Sequence, residues 1–356
     1  MLNQEKVREQ FDLWADSWDE NQAVSESAVE GILDAAGIRR GSRVLDIACG
    51  TGVLFPFYRK RGTSAVTGVD CSPKMTAIAS EKIKDDPSFT VLTGDAASLD
   101  FRGEFDAVMI YDALPHFPDI ARLIRRAYDD LAEGGTLTVA HSMSRAEINL
   151  HHVRVPEVSN ELPTAKELAA LFRPYFRLQW VRDDSSQYLV SGIRRPVPLS
   201  SEEETFFGRT GEHTAEAYHI LLAENHSAVA GHSDGEYFFD DRRGIAPLLS
   251  WHETPSVLRD AFIADKVIGK AAALLLADAG IRELYAHVMS AEACRILEEA
   301  RIPYNFSILV PQIINRRGDD LCPMEKSVRT VEKPADAYEV LKKAVEEMKK
   351  ENPDRV

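Results

Sequence analysis

The segment that most constrains the fold is residues 44–54, VLDIACGTGVL. A short apolar run ends at Asp46 and passes through Gly50 and Gly52 into a helical pattern. Glycine leaves no side chain between the backbone and a ligand, and the amides at the start of the next helix face the same point. The segment therefore predicts an α/β fold with a cradle for a nucleotide-type cofactor.

The spacing of the glycines helps to identify the cofactor. A dinucleotide fingerprint needs G-x-G-x-x-G, and here Phe55 occupies the third glycine position. The acid that follows the strand, Asp46, suits a cationic ligand portion. The segment resembles the first motif of class I S-adenosylmethionine (SAM) methyltransferases, D/E-x-G-x-G-x-G. Ala48 replaces the first glycine of that pattern, a mild change that we expect to leave the site open.

A second predicted strand, residues 64–70, also ends in an acid, Asp70, 18 residues after Gly52. Ligands gather at the carboxyl ends of strands in a doubly wound sheet, so this carboxylate is predicted to accept from both ribose hydroxyls. The alternative is a solvated acid at a strand end. The following residues, which include Cys71 and Met75, resemble the family's D-x-S-x-x-M helix start.

Two later segments extend the resemblance. After a third strand, residues 89–93, the family resemblance implies that Asp95 accepts from the adenine amino group and that Ala96 offers its amide. A fourth strand, residues 105–110, ends at Tyr111, and the loop behind it contains His116. This histidine resembles the family's recurrent loop histidine, and either a catalytic or a helix-capping role would account for it.

Residues 11–19, FDLWADSWD, have aromatic side chains at helical spacing. They resemble the N-terminal F-D-x-x-A-x-x-W/Y-D segment of quinone-biosynthesis-type methyltransferases, which implies a lid over the cofactor with Trp18 as a contact. The simpler interpretation is an amphipathic helix packed on the core.

An insertion at residues 144–163 contains the adjacent histidines His151 and His152. Together with His116 they are the candidates for acid–base chemistry or substrate contact. Adjacent side chains on a helix point about 100° apart, which does not favour a shared metal ion. An exposed helix face is the alternative, and no metal site is predicted.

The whole pattern predicts a Rossmann-like methyltransferase domain, with a mostly parallel seven-stranded sheet, over residues 1–195. Prolines, serines and an acidic run indicate a linker at 196–212. A smaller α/β/α domain is expected at 213–330 and a charged helical tail at 331–356.

The second domain resembles an uncharacterised family with a cytidine-deaminase-like fold. Zinc deamination requires H-x-E and P-C-x-x-C, and this region lacks that set, so the reaction is excluded. A functional pocket and an inherited scaffold remain alternatives. The pocket would use residues Asp265, Lys266, Lys270, Asn315, Cys322 and Glu325.

Composition restricts the partners. The formal net charge of −15 argues against a nucleic-acid partner, which requires clustered Lys and Arg. The four cysteines form no C-x-x-C pair, and no apolar run approaches a membrane span. We therefore expect a cytoplasmic protein without a membrane partner, and a homodimer is a further expectation.

The resulting hypothesis is a SAM-dependent methyltransferase that acts on a small-molecule acceptor and releases S-adenosylhomocysteine. A SAM-binding sensor, whose second domain binds a separate ligand or partner, is the alternative from another class. An NAD-dependent oxidoreductase is the third and is disfavoured by Phe55.

Overall fold

The computed structural model describes residues 2–21, 25–153, 155–208 and 211–351. The chain divides into two compact units, Met1–Leu199 and Ser200–Val356. The division lies within the predicted linker 196–212, part of which forms a helix, Ser201–Gly208. Residues 209–210 of that linker and 352–356 of the predicted tail lie outside the described residues.

The first unit alternates strands and helices along most of its length. Its strands are β1 Arg43–Ile47, β2 Ala65–Asp70, β3 Phe89–Thr93, β4 Phe105–Tyr111, β5 Leu131–His141, β6 Phe176–Asp183 and β7 Tyr188–Arg194. Its helices are α1 Gln4–Trp14, α2 Glu26–Ala35, α3 Phe55–Arg61, α4 Pro73–Ile83, α5 Ile120–Asp130, α6 Arg145–His152 and α7 Ala165–Phe172.

The strands of this unit follow the order β3-β2-β1-β4-β5-β7-β6. Strands β1 to β5 pair in parallel, whereas β7 runs antiparallel to both β5 and β6. The sheet is therefore mixed, and the predicted Rossmann-like methyltransferase fold is confirmed. Because β1, β2 and β4 are parallel neighbours, the residues at their carboxyl ends meet at one edge.

Local sequence signals account for the helix starts that face this edge. Ser72 caps α4 by accepting from the amide of Met75 at 3.1 Å, and Pro73 occupies the first turn. Ser144 and Glu147 form a reciprocal capping box at the start of α6. These caps fix the direction in which the chain leaves the sheet.

The apolar core of the first unit lies between the sheet and its covering helices. Val44 of β1 and Met109 of β4 are fully buried, and so are Leu33 of α2 and Tyr58 of α3. Strand β1 is buried along four of its five residues, as expected for a central parallel strand. This core holds the turn after β1 on a rigid base.

Within residues 200–208 and 211–351, the second unit has five strands in the order β12-β11-β10-β8-β9. Its strands are β8 Ala228–Gly231, β9 Tyr237–Asp240, β10 Phe262–Ile268, β11 Glu283–Ser290 and β12 Tyr304–Val310. Its helices are α8 Ser201–Gly208, α9 Glu212–Ala223, α10 Ala246–His252, α11 Pro255–Leu258, α12 Lys270–Ala279, α13 Ala291–Glu299, α14 Pro323–Ser327 and α15 Ala337–Glu351. Strands β10, β11 and β12 are parallel, and β8 and β9 add an antiparallel hairpin.

The C-terminal helix α15 belongs to the body of the second unit. It packs against α12 and α14, and its Ala337 and Leu341 are fully buried. In the described part of the segment predicted as a charged helical tail, one apolar face of α15 is therefore packed on the unit.

No helix among the described residues is both long enough and apolar enough to cross a membrane.

Candidate active site

The turn after β1 forms the base of the site through three left-handed residues. Ala48, Gly50 and Gly52 have φ angles of 56°, 54° and 83°. Such angles cost little for glycine and about 1–2 kcal/mol for other residues. Alanine at position 48 thus holds a left-handed conformation at some cost in strain.

Close packing gives a second reason for glycine at position 52. A Cβ atom on Gly52 would lie 2.5 Å from the ring of Phe55. A Cβ atom on Gly50 would lie 3.7 Å from Nε1 of Trp18, in ordinary contact. The turn is therefore closed on one side by Phe55 and approached on the other by Trp18.

Asp70, the last residue of β2, is bound to this turn. Its Oδ2 atom accepts from the amide of Gly50 at 2.9 Å, and its Oδ1 atom accepts from the amide of Ser72 at 2.8 Å. Burial raises the pKa of Asp70, whereas the two amides oppose the rise. Each carboxylate oxygen retains capacity for one more donor.

A cavity of about 810 Å³, including its open mouth, lies over the turn and the strand ends. Most of the predicted cofactor residues line it: Trp18, Ala48, Gly50, Asp70, Cys71, Met75, Asp95, Ala96 and Tyr111. Of the predicted catalytic residues, His116 lines it as well. The structure thus brings together residues from five separate segments of the sequence.

Two predicted cofactor residues do not line the cavity. Gly52 faces Phe55 as described, and Asp46 is buried inside β1 with 2% of its surface exposed. Burial raises the pKa of Asp46 to about 8, with the charge of Asp70 adding to the rise. The nearby hydroxyl of Tyr58 opposes this rise in pKa. Asp46 Oδ2 and the Tyr58 hydroxyl oxygen are both buried, and neither has a partner within hydrogen-bond geometry among the described residues.

The carboxylate of Asp95 is used partly within its own loop. Its Oδ1 atom accepts from the amide of Ala97 at 3.0 Å and its Oδ2 atom from the hydroxyl of Ser98 at 2.6 Å. These bonds fix the loop after β3 and place Asp95 and Ala96 at the cavity wall.

The N-terminal segment closes over the cradle through two aspartates. Asp12 Oδ1 accepts from the hydroxyl of Ser72 at 2.5 Å, and Asp19 accepts from the hydroxyl of Thr51 at 2.5 Å. Lys82 adds an ion pair to Asp19 at 2.6 Å. The segment predicted as a lid is therefore bound to the turn after β1 and to the loop after β2.

His116, which also lines the cavity, is held by two neighbours. Its ring meets that of Phe11 edge to face at 4.8 Å, and its Nδ1 atom lies 2.8 Å from the carbonyl oxygen of Val158. Because a carbonyl only accepts, Nδ1 has to carry the proton, which leaves Nε2 as the basic nitrogen. Burial lowers the pKa of His116, so the neutral ring is favoured.

The adjacent histidines of α6 differ in their surroundings. His151 is exposed, whereas the ring of His152 lies 5.1 Å from that of His116. Neither lines the cavity. Burial lowers the pKa of His152 to about 4, and the neighbouring His116 contributes.

Sequence reasoning missed several lining residues. Asp112 directly follows β4, and Asp70 is the last residue of β2. An acid at the end of a strand was therefore a sequence signal for Asp112 as well. Its φ angle is 52°, and its Oδ1 atom accepts from the amide of Ser142 at 2.7 Å. The remaining lining residues that were not predicted as site residues are Gln4, Val7, Phe11, Cys49, Val53, Val69, Gly94, Ala113, Phe117 and Pro118.

In the second unit, Lys270 and Glu325 meet at the start of α12. The carboxylate of Glu325 accepts from the amides of Lys270 and Ala271 at 3.1 and 3.0 Å. The ammonium of Lys270 donates to the carbonyl oxygen of Arg329 at 3.1 Å and lies 3.5 Å from Glu332. Both side chains are therefore used inside the unit.

The other residues predicted for a second pocket hold local structure. Lys266 donates to the side chain of Asn225 at 2.7 Å, and Asn315 donates to Asp319 at 2.7 Å. Asp265 is buried, and burial raises its pKa to about 7. Cys322 is the residue before α14 and is a free cysteine. In the described part of the chain, no group of three or more His, Cys, Asp or Glu side chains is placed to hold a metal ion.

Two families match the chain. A methyltransferase domain family matches residues 44–135, and a domain of unknown function, DUF1893, matches residues 216–345. The ubiquinone biosynthesis O-methyltransferase of Xanthomonas campestris pv. campestris (strain B100) is 33% identical over 175 residues, which cover 46% of this chain and 73% of that protein. The chain belongs to the SAM-dependent methyltransferase family.

Other relatives match over shorter stretches. The phosphatidylethanolamine N-methyltransferase of Cereibacter sphaeroides is 34% identical over 110 residues, 30% of this chain. A demethylmenaquinone methyltransferase of Thermus thermophilus is 37% identical over 110 residues, also 30% of this chain. The chain spans about half the length of these two relatives, 53% and 50%.

Among solved structures, the chain is similar to a DUF1893 family protein of Thermotoga maritima, with 22% identity and a TM-score of 0.36 over 38% of this chain and 92% of that one. It is also similar to a SAM-dependent methyltransferase of Mesorhizobium loti, with 21% identity and a TM-score of 0.40 over 46% and 96%.

Proposed function

We propose that this protein transfers a methyl group from SAM to a small-molecule acceptor. The observation that carries the proposal is that Asp70, bound to the glycine turn, shares one cavity with His116. The first supplies a place for the cofactor's ribose, and the second supplies a base in the same cavity.

The residues around the cavity fit SAM. Asp70 keeps two acceptor positions for the ribose hydroxyls after binding two amides. The turn at Ala48 and Gly50 would hold the methionine portion, and Asp95 with Ala96 would hold the adenine. When bound, SAM supplies a methyl group already activated by a sulfonium, so the chain's work is to position the acceptor and exclude water.

His116 is suited to remove the acceptor's proton. Its Nδ1–H is committed to the carbonyl oxygen of Val158, which fixes the ring and leaves Nε2 basic. Burial lowers its pKa and keeps the ring neutral near pH 7. An acceptor hydroxyl or amine placed against this ring would lose its proton as the methyl group arrives.

The lining also indicates the acceptor's character. Val7, Phe11, Phe117 and Pro118 are apolar, and they line the same cavity as His116. An acceptor with an apolar or aromatic body would bury that surface at about 25 cal/mol per Å². We infer a small apolar acceptor that carries one nucleophilic oxygen or nitrogen.

Calorimetric titration of SAM into the full chain tests the cofactor site. Asp70→Ala removes the two ribose acceptors and should weaken binding by about 1–3 kcal/mol. Asp106→Ala is the matched variant, because Asp106 pairs with Arg43 at a strand surface outside the cavity. Binding that is equal in wild type and Asp70→Ala would contradict the assigned role of Asp70.

A SAM-binding sensor is the alternative function, and turnover separates it from an enzyme. An enzyme converts SAM to S-adenosylhomocysteine when supplied with cell metabolites, whereas a sensor binds SAM and leaves it intact. Failure of NAD to compete with SAM would exclude the oxidoreductase hypothesis.

We propose that the second unit is an accessory domain with a deaminase-like fold and without zinc. Glu325 supports this proposal. Its carboxylate accepts from the two amides at the start of α12, where a zinc deaminase would present a metal ligand. Metal analysis of the purified chain should find less than one zinc per chain. Homodimerisation, a cytoplasmic location and the absence of a nucleic-acid partner stay predictions, and light scattering on the purified chain tests the first.

A further inference from the structure

Two further histidines, which do not line the cavity, lie near His116. His152 of α6 meets the ring of His116 at 5.1 Å, and its Nδ1 atom is buried without a hydrogen-bond partner among the described residues. His141, the last residue of β5, is 2% exposed, and its Nε2 atom is likewise buried and without such a partner. His141 and His152 thus each have one ring nitrogen that is buried away from water.

A carboxylate lies beside these histidines. Oδ1 of Asp112 lies 3.4 Å from Nδ1 of His141, and Asp112 itself lines the cavity. Asp112 adopts a φ angle of 52°, a conformation unfavourable for a residue other than glycine. The amide of Ser142, next to His141, donates to the same Oδ1 atom at 2.7 Å and holds the carboxylate in place.

We propose that His116, His141 and His152 form one histidine cluster that stores the single proton released by the methyl acceptor, with Asp112 as its counter-charge. The proposal rests on the proposed function, because it assigns the fate of the proton that His116 would remove. In this arrangement His116 touches the acceptor, while His141, His152 and Asp112 are positioning residues.

Electrostatics limits the cluster to one proton. Burial lowers the pKa of His116 and of His152, and each is lowered further by a positive charge on His141. His151 adds a smaller effect of the same sign on His152. A second imidazolium would therefore be repelled by the first in a site with little water.

The groups that face the cluster come from several elements. Asp112 approaches His141 from the end of β4, and the ring of Tyr188 approaches it from β7 at 5.6 Å. Phe11 of α1 and the carbonyl oxygen of Val158 face His116. Among these facing groups the acidic side chain is the carboxyl group of Asp112, which makes it the group that stabilises an imidazolium.

The charges balance across the reaction. The acceptor's O–H or N–H bond breaks and its proton moves to Nε2 of His116, while the acceptor atom forms a bond to the methyl carbon and the carbon–sulfur bond breaks. The electron pair of that bond stays on sulfur, which becomes a neutral thioether. One positive charge therefore moves from sulfur to the histidine cluster, where the Asp112 carboxylate lies 3.4 Å from the ring of His141.

Nuclear magnetic resonance of the full chain, labelled with ¹⁵N-histidine and followed from pH 9 to pH 5, tests the proposal without an acceptor. We expect His116 as the Nδ1–H tautomer at high pH, and one imidazolium shared among the three cluster residues at pH 5. Asp112→Asn should lower the proton affinity of the cluster about tenfold, whereas Asp106→Asn, on the same strand but outside the cavity, should leave it unchanged. His152→Gln removes one of the rings that share the proton, so the two remaining rings should still take up one proton and no more at pH 5.

Three independent titrations near the ordinary histidine value, or an unchanged midpoint in Asp112→Asn, would overturn the cluster. The wild-type tautomer and proton count provide a test even where a variant does not fold. A SAM titration of the same samples separates the two proposals. SAM binding with independent histidines removes only the cluster, and coupled histidines without SAM binding remove the proposed function.

Discussion

The amide of Gly50 donates to Oδ2 of Asp70 at 2.9 Å, so a hydrogen bond joins the glycine turn to the acid that ends β2. The amide of Ser72 binds the other oxygen at 2.8 Å. Asp70 thus fixes the loops on both sides of the cavity in addition to offering acceptors to a ligand. A residue with both duties should affect stability even when no cofactor is present.

Asp70→Asn tests the structural duty. The asparagine side chain has one acceptor oxygen, so one of the two amides would face a donor and remain unsatisfied. We expect a loss of about 1–3 kcal/mol in the free energy of unfolding, measured in urea without SAM. Asp106→Asn, at a surface ion pair, should lose about 1 kcal/mol or less. Equal losses in the two variants would contradict the role of Asp70 as a clamp.

Gly52 and Gly41 offer a matched pair for the close approach in the turn. Both have a strongly positive φ, 83° and 85°, but a Cβ on Gly52 would meet Phe55 at 2.5 Å whereas a Cβ on Gly41 would meet nothing within 4 Å. Gly41→Ala should therefore lower the free energy of unfolding only through its unfavourable backbone conformation, by about 1–2 kcal/mol. Gly52→Ala should lose about 1–3 kcal/mol more through overpacking. Urea unfolding of the two variants measures the difference, and similar losses would show that Phe55 moves aside without cost.

Much of the first unit was predictable because its signals are local. An apolar run that ends in an acid and enters a capped helix identifies β1, β2 and the residues around Asp70. The same rule was less informative for Asp46. Its position in the motif suggested a cofactor contact, but burial depends on the neighbouring strands, and the sheet encloses it on both sides.

The parts of the site that were missed depend on long-range contacts. His141 and Asp112 are 29 positions apart in the sequence, and they meet because β4 and β5 are parallel neighbours. The attachment of Asp12 to Ser72 spans 60 residues. A single sequence carries no signal for such pairings.

Ala48→Gly should restore the family's glycine and relieve strain in the cradle. Ala48 holds a φ angle of 56°, which glycine adopts at almost no cost. The gain is partly offset by the greater freedom of glycine in the unfolded chain, so we expect the variant to be equal to wild type or up to about 1 kcal/mol more stable. Thermal and urea unfolding check the sign, and SAM affinity should be unchanged. A loss above about 1 kcal/mol would mean that the Ala48 methyl group makes contacts that outweigh the strain.

Asp46 predicts a pH dependence of stability in the first unit. Burial raises its pKa to about 8 in the folded chain, compared with 3.8 for an ordinary aspartate. Between these values the folded chain holds a proton that the unfolded chain has lost, so stability falls as the pH rises from about 4 to 8. Asp265 acts in the same direction in the second unit, up to a pKa of about 7.

Asp46→Asn removes the titration while keeping a neutral side chain of the same size. Between pH 5 and pH 8 the free energy of unfolding should fall by about 1–3 kcal/mol less in the variant than in wild type, because a shift of one pKa unit corresponds to about 1.4 kcal/mol. Asp106→Asn is the control, since the hydrogen bond from Arg43 lowers the pKa of Asp106 and places its titration below this range. Urea unfolding at both pH values, followed by hydrogen exchange of β1 amides, assigns the effect to the first unit. Parallel pH profiles for wild type and Asp46→Asn would show that Asp46 is ionised in the folded chain, and its carboxylate would then be a charged contact for the cofactor.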